Sequence, residues 1–306
     1  MKSRPTFSIA RTLLLASAVV VSAHFSAIEA WASPTTTGVT LSGGREAVAE
    51  MDFSDPKSPW IVFVPGSGCA RFNLQDSFVV RSLRAKRHFN VLVINKTGVA
   101  ADGSCRTKEF ELSSLRDQRV EDTLTIMDNL LRQDAKVVVI GESEGGYLTP
   151  EIAKRDSRVL AMVWISGGTR SWIEEEISFV AQSKQAKLRR FMDEEVRPNP
   201  TFDLKYKGWT YAQLVSFDND KTMRALRSLS VPALLLNGTR DGQTWVAATS
   251  MDLRELINGE GKSNLEFHFL KDADHGLKCA KHATSCEQQK LDGEIIRAVE
   301  SFADKF

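Results

Sequence analysis

The chain has 306 residues, 42% hydrophobic and 26% charged, a balance that supports a folded core and excludes a disordered polypeptide or a membrane bundle. With 40 basic and 39 acidic residues the net charge is +1, so composition offers no electrostatic footprint for nucleic acid or anionic lipid. That length suits one large α/β domain or two smaller ones.

The N-terminal stretch differs from the rest. Lys2, Arg4 and Arg11 accompany an apolar run over residues 12–21, the length of a signal-peptide core and short for a bilayer span. Ala30-Trp31-Ala32 offers a cleavage site before Ser33, with Val21-Ser22-Ala23 as a rival. Ser22, His24, Ser26 and Glu29 interrupt the run early, which argues against an uncleaved anchor. Residues 1–32 therefore read as a signal peptide and 33–306 as the mature chain. The expected location is periplasmic or extracellular, with no stable membrane insertion after cleavage.

Residues 38–42 and 46–53 read as two short strands around a Gly43-Gly44 turn. Residues 60–64 are a continuous apolar run of buried-strand type, ending in Pro65-Gly66-Ser67-Gly68-Cys69. An amphipathic helix is predicted over 76–86 and a buried strand over 90–95, followed by a long polar loop over 96–108. The spacing of Val120, Leu124, Met127, Leu130 and Leu131 predicts a helix over 114–133, capped by Ser114. The β-branched run at 136–140 leads into Gly141-Glu142-Ser143-Glu144-Gly145, and a helix over 145–155 and a strand over 159–165 follow. This alternation predicts crossover connections and a mostly parallel sheet with helices on both faces.

The rhythm breaks over residues 168–229, a charged, helix-prone stretch carrying Trp172 and Trp209, too long for a simple connection. It reads as a helical cap insertion, with two ordinary crossover helices as the alternative. Strands at 231–236 and 265–270 and helices at 245–258 and 286–306 complete the pattern.

The Gly-x-Ser-x-Gly pattern recurs by chance in unrelated chains, so its context carries the reading. A buried strand before it and a helix after it place a serine hydroxyl at the tip of a sharp turn. A serine hydroxyl needs a base, and the base needs an orienting group. Of five histidines, His24 leaves with the signal peptide, His88 precedes a strand and His268 sits within one. His275 follows the last strand, next to Gly276, and His282 is a rival between two cysteines. Asp241 lies just beyond the strand at 231–236 and is the expected orienting carboxylate. Asp218, Asp220, Asp272 and Asp274 are the alternatives. An oxyanion needs preorganised donors, here the backbone N–H groups of Ser67 and Glu144. Pro-Gly-Ser-Gly-Cys lacks the spacing and lysine of a phosphate loop.

An even number of cysteines in an exported chain favours disulfides. Cys69, Cys105, Cys279 and Cys286 allow three connectivities. Cys279 and Cys286 would close a short loop, and Cys69 and Cys105 both follow predicted strands. No pair has Cys-x-x-Cys spacing, against a zinc site.

The order Ser143, Asp241, His275, each after a strand, together with the early glycine loop and the insertion, resembles the α/β-hydrolase superfamily. The resemblance covers essentially the whole mature chain and implies an α/β fold with a cap. It implies Ser143 as nucleophile, His275 as general base and then acid, Asp241 as orienting carboxylate, and Ser67 and Glu144 as oxyanion donors. It implies a serine hydrolase of esterase or lipase type acting on a small acyl substrate without cofactor or metal. A peptidase, amidase or thioesterase on the same triad is the alternative, and a non-catalytic binding protein a further one. Two departures stand out. Pro65 occupies a position where many members have histidine, and Glu142 and Glu144 flank the serine, which would favour neutral or cationic substrates unless both point away. The continuation Gly145-Gly146-Tyr147 is similar to the prolyl-oligopeptidase side of the superfamily, whose propeller has no room in this chain.

Overall fold

A computed structural model describes residues 34–72 and 77–306. The expected signal peptide (1–32), His24 and the predicted helix start at Asp76 lie outside the described residues. The strands are β1 (Thr35–Thr40), β2 (Glu46–Asp52), β3 (Trp60–Val64), β4 (Asn90–Ile94), β5 (Val137–Glu142), β6 (Val159–Ile165), β7 (Lys205–Tyr206), β8 (Trp209–Thr210), β9 (Ala233–Gly238) and β10 (Leu265–Leu270). The helices are α1 (Phe78–Lys86), α2 (Thr107–Ser113), α3 (Arg116–Leu130), α4 (Glu144–Arg155), α5 (Trp172–Ser178), α6 (Gln182–Phe191), α7 (Tyr211–Ser216), α8 (Lys221–Ser228), α9 (Val246–Arg254) and α10 (Gln288–Ala303).

Eight strands form one sheet in the order β1-β2-β4-β3-β5-β6-β9-β10. β2 is antiparallel to both β1 and β4, and every other neighbour is parallel. Parallel strands covered on both faces have no solvated side, which is why β3 and β4 are buried throughout and read as unbroken apolar runs. On one face Val62, Val64, Leu92, Val137 and Val139 join Val120, Met127, Leu148 and Ile152 of α3 and α4 in a single core. The alternate residues Ile61, Phe63, Val91, Val93, Val138 and Ile140 are equally buried and, by strand periodicity, face the other way. There α1 and α10 pack against each other.

Two local expectations are corrected. The predicted loop leads into α2, and α3 begins at Arg116 with Leu115, not Ser114, at its N-cap. The Ser114 hydroxyl instead donates to the Phe110 carbonyl one turn back, at 2.6 Å, and so closes α2 rather than opening α3. The first strand starts earlier than expected, pairing Thr35 to Met51 through Thr40 to Glu46.

Between β6 and β9 the chain forms α5, α6, the β7–β8 hairpin, α7 and α8. Ile173, Ile177, Met192, Val196, Tyr211 and Leu214 make a small core of their own. α8 packs on α4, and its Met223 and Leu226 belong to the main core.

Two disulfides are present, Cys69–Cys105 and Cys279–Cys286. The first ties the loop after β3 to the loop after β4 across 36 residues, whereas the second spans 7. Loop-closure entropy then ranks them, at about 4 and about 2 kcal/mol respectively. Denaturant unfolding of the Cys69→Ser/Cys105→Ser and Cys279→Ser/Cys286→Ser variants should show the larger loss for the first pair. An equal or reversed ranking would mean that the unfolded chain is not what the longer bridge restrains.

Candidate active site

β5 ends at Glu142 and α4 begins at Glu144, so the chain reverses at Ser143, whose φ of 53° and ψ of −118° lie in a region that side chains rarely adopt. Such a conformation costs about 1–3 kcal/mol and persists only where the surroundings over-determine it. Here the Ser143 N–H donates to the Ile165 carbonyl of β6 at 2.8 Å, and its carbonyl accepts from Gly146 N–H at 2.9 Å. Both flanking glycines are required by close approach. A Cβ on Gly145 would strike the Val64 carbonyl, and one on Gly141 would strike the Gly145 carbonyl and the Thr149 methyl. Gly66 likewise lets the loop after β3 come against the serine, since a Cβ there would sit 3.0 Å from the Ser143 Cβ.

The loops after β9 and β10 bring the other two groups to the same sheet end. Ser143 Oγ lies 2.8 Å from His275 Nε2, and His275 Nδ1 lies 2.8 Å from Asp241 Oδ2. A carboxylate only accepts, so Nδ1 carries the proton and Nε2 is left to accept from the serine hydroxyl. The Asp241 side chain is fully shielded from solvent, and its Oδ1 accepts from the backbone N–H groups of Gln243 (2.7 Å) and Thr244 (3.1 Å).

The rival residues are occupied elsewhere. His282 and His88 are exposed, and His268 pairs with Glu266 at 2.9 Å. Asp218 holds Ser171 and Arg197, and Asp220 pairs with Arg224. Asp272 binds Arg240 and Ser285, and Asp274 accepts from Gly276 and Lys278 N–H within its own turn.

Ser67 and Glu144 line the same cavity as Ser143 and His275. The Glu144 N–H is the first of α4, where no carbonyl one turn back is available to it. The Glu144 carboxylate is buried and ion-paired with Arg119, so it is neutralised rather than presented to a substrate. Arg119 also donates to the Pro65 carbonyl at 2.9 Å, tying the loop after β3 to the start of α4. Lys96 Nζ donates to the Gly66 carbonyl at 2.6 Å. In a trans peptide the next N–H points opposite to that carbonyl, so Lys96 turns the Ser67 N–H away from itself. Sequence reasoning missed both basic residues. Lys96 directly follows a buried strand, and Arg119 adjoins Val120 on α3; either position could have flagged them.

Burial pushes the Lys96 ammonium down to about 7, with Glu144 opposing and Arg119 reinforcing the shift. Between that value and its ordinary 10.5 the unfolded chain binds the extra proton, so this residue makes stability rise with pH across that window. Below about 7 both states are protonated and the cost of the buried charge is present in full. The stability of the wild type relative to Lys96→Met should therefore climb from pH 7 to 10, by at most about 1.4 kcal/mol per pH unit. Urea unfolding at successive pH values checks this, and a flat difference would rule it out.

The cavity beside Ser143 has a volume of about 250 Å3. Tyr147, Trp172, Phe179, Trp209 and Leu214 supply its apolar walls. Trp172 stacks on Phe217 at 3.9 Å, and Trp209 lies against it at 4.7 Å. Glu175 of α5 also lines it, accepting from the Tyr147 hydroxyl at 2.5 Å. Burial raises the Glu175 carboxyl to about 8, with Tyr147 and the Trp245 N–H opposing and Asp241 and Glu176 adding to the shift. Glu142 is raised in the same way by burial, against His275 and Lys278.

A strained serine between a parallel strand and a helix, beside a histidine and an aspartate at neighbouring strand ends, marks the class of α/β hydrolases. Residues 61–279 match the alpha/beta hydrolase family, and the chain belongs to it. No protein with a curated description matches the chain in sequence. Among solved structures, mouse alpha/beta hydrolase domain-containing protein 10 superposes with a TM-score of 0.58 at 16% identity, over 89% of this chain and 99% of its own. An esterase from Pyrococcus furiosus does so with a TM-score of 0.58 at 16% identity, over 89% and 91%. The acylaminoacyl peptidase of Pyrococcus horikoshii gives a TM-score of 0.59 at 16% identity, over 88% of this chain but only 41% of its own. At such identities the likeness is one of fold.

Proposed function

We propose that the protein is an exported serine hydrolase that cleaves a carboxylic ester through an acyl-enzyme. The hydrogen-bonded line from Ser143 Oγ through His275 to Asp241, opening on the cavity, carries this reading. His275 Nε2 takes the hydroxyl proton as Ser143 Oγ bonds to the substrate carbonyl carbon. The oxyanion is met by the N–H groups of Ser67 and Glu144. His275 returns the proton to the departing alcohol as the carbon–oxygen bond breaks, and water, deprotonated by the same histidine, releases the acid.

Export is supported by the signal-like residues 1–32 and by the two disulfides. Among the described residues no helix is long and apolar enough to cross a membrane. The segment between β6 and β9 acts as a cap over the serine, since Trp172, Glu175 and Trp209 within it line the cavity.

A fluorophosphonate probe should label the purified protein at Ser143, as located by peptide mass spectrometry. No labelling would point instead to a binding protein that keeps the fold. The likeness in fold to an acylaminoacyl peptidase favours a second reading, amide or peptide hydrolysis on the same triad. Turnover of aminoacyl anilides above that of the matching aminoacyl esters would establish that alternative.

A further inference from the structure

The cavity beside Ser143 contains an acid that the chemistry of the triad does not use. Glu175 is 4% exposed, yet it lines that cavity. Its hydrogen-bond donors are neutral: the Tyr147 hydroxyl at 2.5 Å and the Trp245 N–H at 3.5 Å. Among the described residues no basic side chain pairs with it, whereas its neighbour Glu176 pairs with Lys207 at 2.7 Å. Gly168 is kept free of a side chain here, since a Cβ would strike both the Glu175 carboxyl and the Tyr147 hydroxyl. The carboxyl is thus a built feature of the wall. A buried acid without a cation is costly, and proteins ordinarily pair one or replace it.

The remaining surroundings select for positive charge. Asp241 lies close enough to act electrostatically on Glu175, and Glu176 and Lys207 cancel each other. Trp172, Trp209 and Phe179 in the same lining are aromatic, a wall chemistry that tolerates a cation. Ser166 is in the same lining, and its buried Oγ has no hydrogen-bond partner among the described residues.

We propose that this cavity recognises a primary ammonium group on the substrate, with Glu175 as its counter-ion and the aromatic walls around the adjoining carbon chain. The inference rests on the hydrolase reading for its relevance to turnover, but not for the binding event. Entry of the ammonium ion ionises Glu175, whose carboxyl burial otherwise holds at about 8, and the carboxyl proton leaves to solvent. Specificity then follows from charge, since a neutral group of the same shape gains no ion pair with Glu175.

Two readouts test it. In the first, n-butylammonium and its neutral isostere 1-butanol are titrated into the wild-type protein while tryptophan fluorescence from the cavity is followed. The ammonium ion should bind roughly tenfold or more tightly than the alcohol. In the second, both are tested as inhibitors of p-nitrophenyl butyrate hydrolysis, where the ammonium ion should compete and the alcohol should compete far less. Glu175→Gln should abolish the discrimination, and if that variant does not fold by near-ultraviolet circular dichroism, Glu175→Asp should reduce it. Equal binding of ion and alcohol to the wild type overturns the proposal, as does discrimination that survives in a folded Glu175→Gln. Absence of fluorophosphonate labelling at Ser143 with the fluorescence discrimination intact would sink the hydrolase reading and leave the ammonium site standing.

Discussion

Replacing Ser143 by alanine is expected to lower kcat on a short p-nitrophenyl ester by about 10^4- to 10^6-fold, while the folded protein survives. The hydroxyl is the only atom lost, and its hydrogen-bond partner is His275 Nε2. The backbone stays at φ 53°, a strain that alanine bears as serine does. Little change in melting temperature should therefore accompany the loss, which separates a missing nucleophile from a collapsed turn. Ser143→Gly gives the complementary result. Glycine adopts positive φ freely, so relief of the strain should raise stability by about 1 kcal/mol while activity is lost equally. Steady-state turnover and thermal unfolding of the two variants together decide the matter. Retention of more than a tenth of wild-type activity in Ser143→Ala would remove Ser143 from the mechanism.

The elbow could be anticipated because its determinants are contiguous: an apolar strand, a turn with glycine on either side of the serine, and a helix. The order of Asp241 and His275 was also legible, since each lies in the loop just beyond a predicted strand. The disulfide pairing was not, because three connectivities are equal in sequence and only the proximity of the loops after β3 and β4 selects Cys69–Cys105. The role of Glu144 was half legible. Its position fixes its N–H, but Arg119 neutralises its carboxylate, and Arg119 lies on a helix 25 residues earlier. Glu175 could not be read at all. In sequence it is one acid of three in Glu174-Glu175-Glu176, and burial alone singles it out: Arg189 holds Glu174, Lys207 holds Glu176, and Glu175 turns inward to Tyr147.

Asp241→Asn should reduce kcat by about 10^3- to 10^4-fold with little change in KM or stability. Asp241 Oδ1 is already committed to two backbone donors, Gln243 and Thr244 N–H, in a setting with no solvent access. An asparagine must keep its carbonyl oxygen there, because an amide NH2 in that place would face two N–H groups. Its NH2 is then directed at His275 Nδ1, where the carboxylate oxygen had been. Two donors cannot share that contact, so the imidazole must place its proton on Nε2. In that tautomer Nε2 has no lone pair for the Ser143 hydroxyl, and the base is disabled without any atom having moved. Asp241→Ala behaves differently. It leaves Gln243 and Thr244 N–H without their acceptor, and the buried Thr244 donor alone costs about 1–3 kcal/mol, so stability falls along with activity. The contrast between an inactive, stable asparagine variant and an inactive, destabilised alanine variant is the signature of a residue that sets a tautomer through its partner. Asparagine activity within tenfold of wild type would show that another group orients His275, and an acid to examine would be Glu142, whose raised carboxyl senses that same histidine.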